Sequence, residues 1–254
     1  MKFRPCIDIH NGQVKQIVGG SLKDQGSYAS ENFVSTQDAA YYADLYKEYG
    51  LIGGHIILLN PKSSEYYEAT RSQAVLALNR YRGGFQIGGG INPDNAYSFL
   101  EAGASHVIVT SYVFKDGQVD FEALDKMIKS VGKEHLVLDL SSRIKEGKYY
   151  ITTDRWQKFT EVILDADMLC KLSSSCDEFL IHAVDVEGKA SGIEENLVKL
   201  LADSPIASTY AGGIHDFEDL KKLKVFGKDR VDFTIGSALD IFGGTMKFDD
   251  VVSF

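Results

Sequence analysis

Short apolar runs alternate with longer amphipathic stretches along the whole chain. The runs cover residues 3–9, 55–59, 84–87, 106–110, 135–140, 178–183, 206–210 and 231–235. Their length and β-branched content predict strands buried on both faces, where the in–out alternation of a half-exposed sheet disappears. Apolar positions between the runs recur at helical spacing. Ser35 or Thr36 is predicted to cap a helix ending near Gly50. Asn92-Pro93 reads as an N-cap followed by proline in the first turn, with Gly103 closing that helix. Residues 120–131, 194–202 and 216–225 read as further helices, and 141–154 as an extended loop or hairpin.

Eight strand signals alternating with about eight helices predict one α/β domain over residues 1–254, a (β/α)8 TIM barrel. A doubly wound open sheet shares the alternation, but no GxGxxG follows the first run. The chain also repeats itself about half a length later. Cys6-Ile7-Asp8-Ile9 is echoed by Val137-Leu138-Asp139-Leu140, and Gly88-Gly89-Gly90-Ile91 by Ala211-Gly212-Gly213-Ile214. Val109-Thr110-Ser111 is echoed by Ile235-Gly236-Ser237. Three echoes in the same order imply two similar half-barrels.

These echoes fall at the C-terminal ends of predicted strands, the face on which barrel active sites are built. Glycines there let the backbone approach a phosphate while the free N–H groups of the next helix point at it. Taken singly, such a cluster is also explained by a tight turn. Two clusters, each followed one strand later by a small hydroxyl residue, imply two phosphate sites and a small-molecule substrate phosphorylated at both ends. Asp8 and Asp139 are expected to end the first and fifth strands on opposite sides of the mouth. Each alone is explained by a helix cap or by a pairing with Lys15 or Arg143. The symmetric pair suits a general acid and a general base in unequal environments. Trp156, the one tryptophan, follows the long loop and can stack on a planar ring or anchor the loop. His182, inside the sixth run, reads as a core histidine, while His10 stands near the mouth with its role open.

Charge narrows the partners. Lys and Arg number 27 against 36 Asp and Glu, a net charge of −9, with no basic run to suit nucleic acid or an anionic membrane. No apolar run reaches the length of a membrane span, and no signal-like segment opens the chain. Cys6, Cys170 and Cys176 show no metal-ligand spacing and suggest a reducing, cytoplasmic compartment; Cys170 and Cys176 are expected to pack the fifth helix and its exit. A closed barrel has no sheet edge to pair, so a monomer is expected.

The chain resembles a known family in the segments CIDIHNGQVKQIVGG from Cys6, QIGGGI from Gln86, FLIHAVDVEG from Phe179, YAGGI from Tyr210 and DIFGG from Asp240. They are similar to the eukaryotic-type phosphoribosylformimino-aminoimidazole carboxamide ribotide isomerases of histidine biosynthesis. The resemblance implies an Amadori rearrangement of an N-linked aminoaldose to an aminoketose, with no metal and no cofactor. It implies that Asp8 is the base at C2 of the ribose and Asp139 the acid that opens the furanose. Gly89, Gly90, Thr110 and Ser111 match one phosphate cradle. Gly192, Gly212, Gly213, Gly236 and Ser237 match the other, and Trp156 matches a residue covering the aminoimidazole ring. Bacterial members carry a threonine and then an acidic residue after the sixth strand. This chain reads Ala183-Val184-Asp185 there, so Asp185 is expected to keep the acidic role. Bacterial members also often end the second strand in Asp, where this chain has Leu58-Leu59-Asn60. The cyclase subunit of imidazole glycerol phosphate synthase shares the repeat and both Asp positions. A barrel that binds bisphosphates without turnover, or an isomerase also accepting phosphoribosyl anthranilate, are the other readings.

Overall fold

The computed structural model describes residues 1–17, 31–189 and 191–254. Val18-Gly19-Gly20, the end of the opening motif, lies outside the described residues. Eight parallel strands order the chain: β1 (Cys6–His10), β2 (Gly54–Leu58), β3 (Phe85–Gly88), β4 (His106–Val109), β5 (Leu136–Asp139), β6 (Glu178–His182), β7 (Ala207–Ala211) and β8 (Val231–Thr234). Each pairs with the next, as in Cys6↔His55 and Leu180↔Asp139. The last strand returns to the first: Arg4 N–H donates to the Phe233 carbonyl at 2.8 Å, and Phe233 N–H to that of Lys2 at 3.0 Å. The predicted barrel is therefore closed.

Among the described residues eight α-helices follow the strands: α1 (Ala39–Glu48), α2 (Tyr67–Arg80), α3 (Pro93–Ala102), α4 (Phe121–Val131), α5 (Ala166–Ser173), α6 (Glu195–Ala202), α7 (Phe217–Phe226) and α8 (Phe248–Val252). Asn92 caps α3 in a reciprocal capping box and Gly103 ends it with φ +115°, as the sequence predicts. The cap of α1 is instead Asp38, whose carboxylate accepts from Tyr41 N–H. Ser35 is drawn inward, where its hydroxyl accepts from Tyr42 Oη at 2.9 Å.

Two faces of each strand serve two cores. Ile7, Ile9, Ile56, Leu58, Val107 and Leu138 pack in the main core with helix residues such as Tyr46, Leu78 and Leu124. Ile108, Val137 and Leu180, with Ile57 against them, form a separate cluster, as alternation inside a barrel requires. At the N-terminal end Arg4 pairs with Asp232 at 2.8 Å and Glu178 at 3.1 Å. Gln86 Nε2 donates to Glu178 at 2.6 Å, so these charges have partners and tie the two ends of the barrel sheet together.

Antiparallel ribbons rise from the other end. β1 runs past Asp8 to His10 and turns through Asn11-Gly12 into Gln13–Ile17, so Asp8 is a mid-strand residue rather than the strand's last. Both turn residues have positive φ, +51° and +74°, the conformation an Asn-Gly hairpin favours. After β5 the predicted loop is a three-stranded sheet of Ser142–Lys145, Lys148–Thr153 and Lys158–Ile163.

Candidate active site

A cavity of about 100 Å³ opens at the C-terminal end of the barrel. Asp8, His55, His182, Glu187, Gly212, Gly213, Gly236 and Ser237 are among the residues lining it. Among the described residues Asp8 has no hydrogen-bond partner, and it stands partly open to the cavity. Desolvation raises its pKa to about 7, with nearby His182 pulling it down and Glu187 pushing it up.

The second expected carboxylate is held differently. Asp139 ends β5 and is buried. Its Oδ1 accepts from both the N–H, at 2.9 Å, and the hydroxyl of Ser141, and its Oδ2 from Thr110 Oγ1 at 3.3 Å. Burial raises its pKa, but His182 and the Ser141 bonds outweigh that, and the carboxyl titrates below its ordinary value. It does not line the cavity.

His182 does: the histidine expected in the core is buried and hydrogen-bonded there, and its ring also faces the cavity. It ends β6 with its Nδ1 3.1 Å from Ser141 Oγ and 3.7 Å from Asp139 Oδ1. Burial lowers its pKa, yet contact with Asp139, with help from Glu187 and Asp8, raises it to about 9. The ring is therefore an imidazolium at neutral pH. Trp156 leans on it at 5.3 Å between ring centroids and His55 meets it edge-on at 5.9 Å. Burial, reinforced by the His182 charge, depresses His55 to about 3 despite Asp139, so His55 is neutral. Trp156 thus anchors its turn on the site, at the end of three consecutive residues with φ between +51° and +67°.

The phosphate-binding candidates divide. Gly212, Gly213, Gly236 and Ser237 line the cavity, and Gly192 joins them through its N–H bond to the Gly213 carbonyl at 3.1 Å. Gly213 has φ +76°, and a side chain there would run into the Gly192 carbonyl, so only glycine fits. Gly89 and Gly90 follow β3, and Thr110 and Ser111 follow β4, at the same end of the barrel but outside this cavity. Thr110 touches Asp139, while Ser111 Oγ accepts from Asp154 N–H at 3.2 Å and so holds the Trp156 turn.

Two further expectations are corrected. Asp185 does not enter the cavity: it accepts from Arg143 Nε at 2.9 Å and from Ile144 N–H at 2.8 Å, pinning the hairpin. The acidic group that reaches the cavity is Glu187, two residues on. Its Oε2 is buried with no hydrogen-bond partner, and burial raises its pKa against the pull of His182. Cys170 is exposed rather than packed, because the inward face of α5 belongs to Leu169 and Leu172; Cys176 is buried as expected. Metal-type ligands come together among the described residues only in His215, Asp216 and Asp219. That group makes the α7 cap: Asp216 accepts from Asp219 N–H, and Asp219 pairs with His215 at 2.7 Å.

Comparison with known proteins agrees with this architecture. A model of the histidine biosynthesis protein family matches residues 2–246. A Medicago truncatula protein is 55% identical over 100% of this chain and 81% of its own length. It is named a chloroplastic 1-(5-phosphoribosyl)-5-((5-phosphoribosylamino)methylideneamino)imidazole-4-carboxamide isomerase. Proteins of the same enzyme name from Yarrowia lipolytica and Saccharomyces cerevisiae are 44% and 41% identical, over 100% and 98% of this chain and 97% and 96% of theirs. With a closed barrel, a polar cavity at its C-terminal end and a family match over nearly its whole length, the chain belongs to the histidine biosynthesis protein family.

Proposed function

We propose that the protein is an isomerase converting the N-linked aminoaldose ProFAR to the aminoketose PRFAR in histidine biosynthesis. The observation that carries the reading is a carboxylate and an imidazolium in one cavity: Asp8, poised near neutrality, beside His182, charged and backed by Asp139. An Amadori rearrangement needs a base at C2 and an acid at the ring oxygen. Asp8 supplies the first; the linked group of Asp139, Ser141 and His182 supplies the second.

One phosphate of the substrate sits on Gly192, Gly212, Gly213, Gly236 and Ser237, and the other on Gly89, Gly90, Thr110 and Ser111. Backbone N–H groups must do this work, since the chain's net charge of −9 repels a bisphosphate at long range. Binding energy from these remote groups holds the sugar between base and acid. Trp156 covers the aminoimidazole ring. The protein acts as a monomer in a reducing compartment, the cytoplasm in our reading. Its three free cysteines support that, although the Medicago relative is named chloroplastic. Among the described residues no helix is long and apolar enough to cross a membrane.

The test offers the aminoaldose alone, and separately the aminoketose with ammonia, to the purified protein, and follows both by chromatography and mass. A product of unchanged mass and new retention from the first supports the isomerase. Turnover only of the second would mean a cyclase, and binding of both without turnover a binding barrel.

A further inference from the structure

The two proposed phosphate cradles differ in what they touch. The one that follows β3 and β4 reaches the turn carrying Trp156, through Ser111. We infer that Ser111 couples a phosphate bound at Gly89, Gly90, Thr110 and Ser111 to the seating of Trp156, through the hydrogen bond its Oγ accepts from Asp154 N–H. This deepens the isomerase reading and rests on it, with Ser111 a positioning residue for Trp156.

The turn needs such a hold. Asp154, Arg155 and Trp156 stand in succession at φ +51°, +55° and +67°, a left-handed run that persists only where its surroundings fix it. Gln157 N–H donates to the Asp154 carbonyl at 3.2 Å, and Lys158 pairs with the Asp154 carboxylate at 2.7 Å. Those contacts are local and do not set where the turn lies on the barrel. Ser111 does: it stands two residues past β4, 43 residues earlier in the chain, and holds the first amide of the run at 3.2 Å. At the other end of the run the Trp156 ring lies 5.3 Å from that of His182, which lines the cavity. One contact at the cradle and one at the cavity thus bracket the turn. The ribbon that carries it is braced separately. Glu161 N–H donates to the Gly117 carbonyl at 2.8 Å and Gln118 Nε2 to the Glu161 carboxylate at 2.7 Å, so loss of the Ser111 bond frees the turn and leaves the ribbon in place.

A hydroxyl is the right group to carry the coupling. The exposed Ser111 oxygen accepts from Asp154, and its hydrogen can be offered to a phosphate oxygen. A hydroxyl that donates to an anion becomes a stronger acceptor, so an occupied cradle tightens the Asp154 bond. Thr110 lies against Asp139 at 3.3 Å, so within this cradle the link to the turn falls to Ser111. By linkage the effect is reciprocal: a seated Trp156 strengthens phosphate binding by the same factor. The remote phosphate in this way helps to order Trp156 over the cavity.

Trp156 is the only tryptophan, so acrylamide quenching of intrinsic tryptophan fluorescence reads its seating. The probe is inorganic phosphate, which has no ring to stack on Trp156, titrated to saturation on wild type, Ser111→Ala and Ser111→Thr. In wild type it should raise the ratio of seated to unseated Trp156 roughly two- to tenfold, the shift one hydrogen bond gives a two-state equilibrium, read as weaker quenching. Ser111→Thr keeps the hydroxyl and should respond like wild type, and Ser111→Ala should not respond. No response in wild type, or an equal one in Ser111→Ala, overturns the coupling. The bisphosphate aminoaldose on Asp8→Asn, which holds it unconverted, gives a second reading. At saturation, adding Ser111→Ala to Asp8→Asn should leave Trp156 more open to quenching; equal quenching would make Ser111 a phosphate contact only and overturn the coupling. Should Ser111→Ala not fold, amide exchange in wild type decides: Asp154 N–H exchange slowed by phosphate supports the coupling, and unchanged exchange overturns it. A wild type whose Trp156 responds to phosphate but which leaves the aminoaldose unconverted would defeat the isomerase reading, a separate result.

Discussion

Asp8 is held in a state that the fold would not choose, and replacing it exposes the cost. An ordinary carboxyl titrates near 3.8, and this one near 7. The folded protein therefore binds the Asp8 proton more tightly than the unfolded chain does. Stability drawn from this group falls as pH rises from about 4 to 7, and the loss is complete above the folded value. The gap between those two values, at ~1.36 kcal/mol per pH unit, sets a ceiling of about 4 kcal/mol. The partial opening of Asp8 to the cavity brings the working figure lower. An amide at this position has no charge to desolvate, so Asp8→Asn should raise stability at pH 8 by a few kcal/mol, or on the order of 5–8 °C in Tm for a chain of this size. The gain should shrink as pH falls and vanish near pH 4, while turnover is lost. Urea and thermal unfolding of both proteins at pH 4.5, 6 and 8 measure this directly. A variant no more stable than wild type at pH 8, or one whose gain is independent of pH, would refute the assignment of a desolvated anion.

Other substitutions separate the remaining parts. Trp156→Ala removes the ring lying over His182 and should raise KM roughly tenfold, the worth of one aromatic contact, with a smaller change in kcat. Because this is the only tryptophan, substrate binding to wild type should also change its intrinsic fluorescence, and an unaltered spectrum at saturation would place the substrate elsewhere. Gly213→Ala puts a methyl group into the Gly192 carbonyl at φ +76° and should cost about 1–3 kcal/mol and raise KM, read from the urea midpoint and steady-state kinetics; an unchanged midpoint would contradict the fit.

Much of this molecule was legible in its sequence, for reasons that particular residues make plain. Buried parallel strands such as Val107-Ile108-Val109 must be apolar on both faces, so the eight runs stand out. Glycines at positive φ, such as Gly89 and Gly213, admit no other residue and mark the strand ends. The half-chain echo placed Asp8 and Asp139 at corresponding positions without any knowledge of the fold. The Asn11-Gly12 hairpin carried a local signal that hydrophobic patterning alone passes over. His182 was harder, because a histidine in an apolar strand looks the same whether it fills space or holds a charge. What distinguishes it is Ser141 and Asp139, 41 and 43 residues away and brought together only by the pairing of β5 with β6. Glu187 and Asp185 lie two residues apart on one loop, and only their contacts show that the first reaches the cavity and the second anchors a hairpin.

The measurement that bears most directly on the central claim compares wild type with Asp8→Asn in one assay. Both are first shown by calorimetry to bind the bisphosphate aminoaldose, and its conversion is then followed by chromatography and mass without ammonia or added metal. Both proteins should bind, and only wild type should yield the isomeric product. Conversion by Asp8→Asn at the wild-type rate, or substrate left untouched by wild type, would contradict that claim.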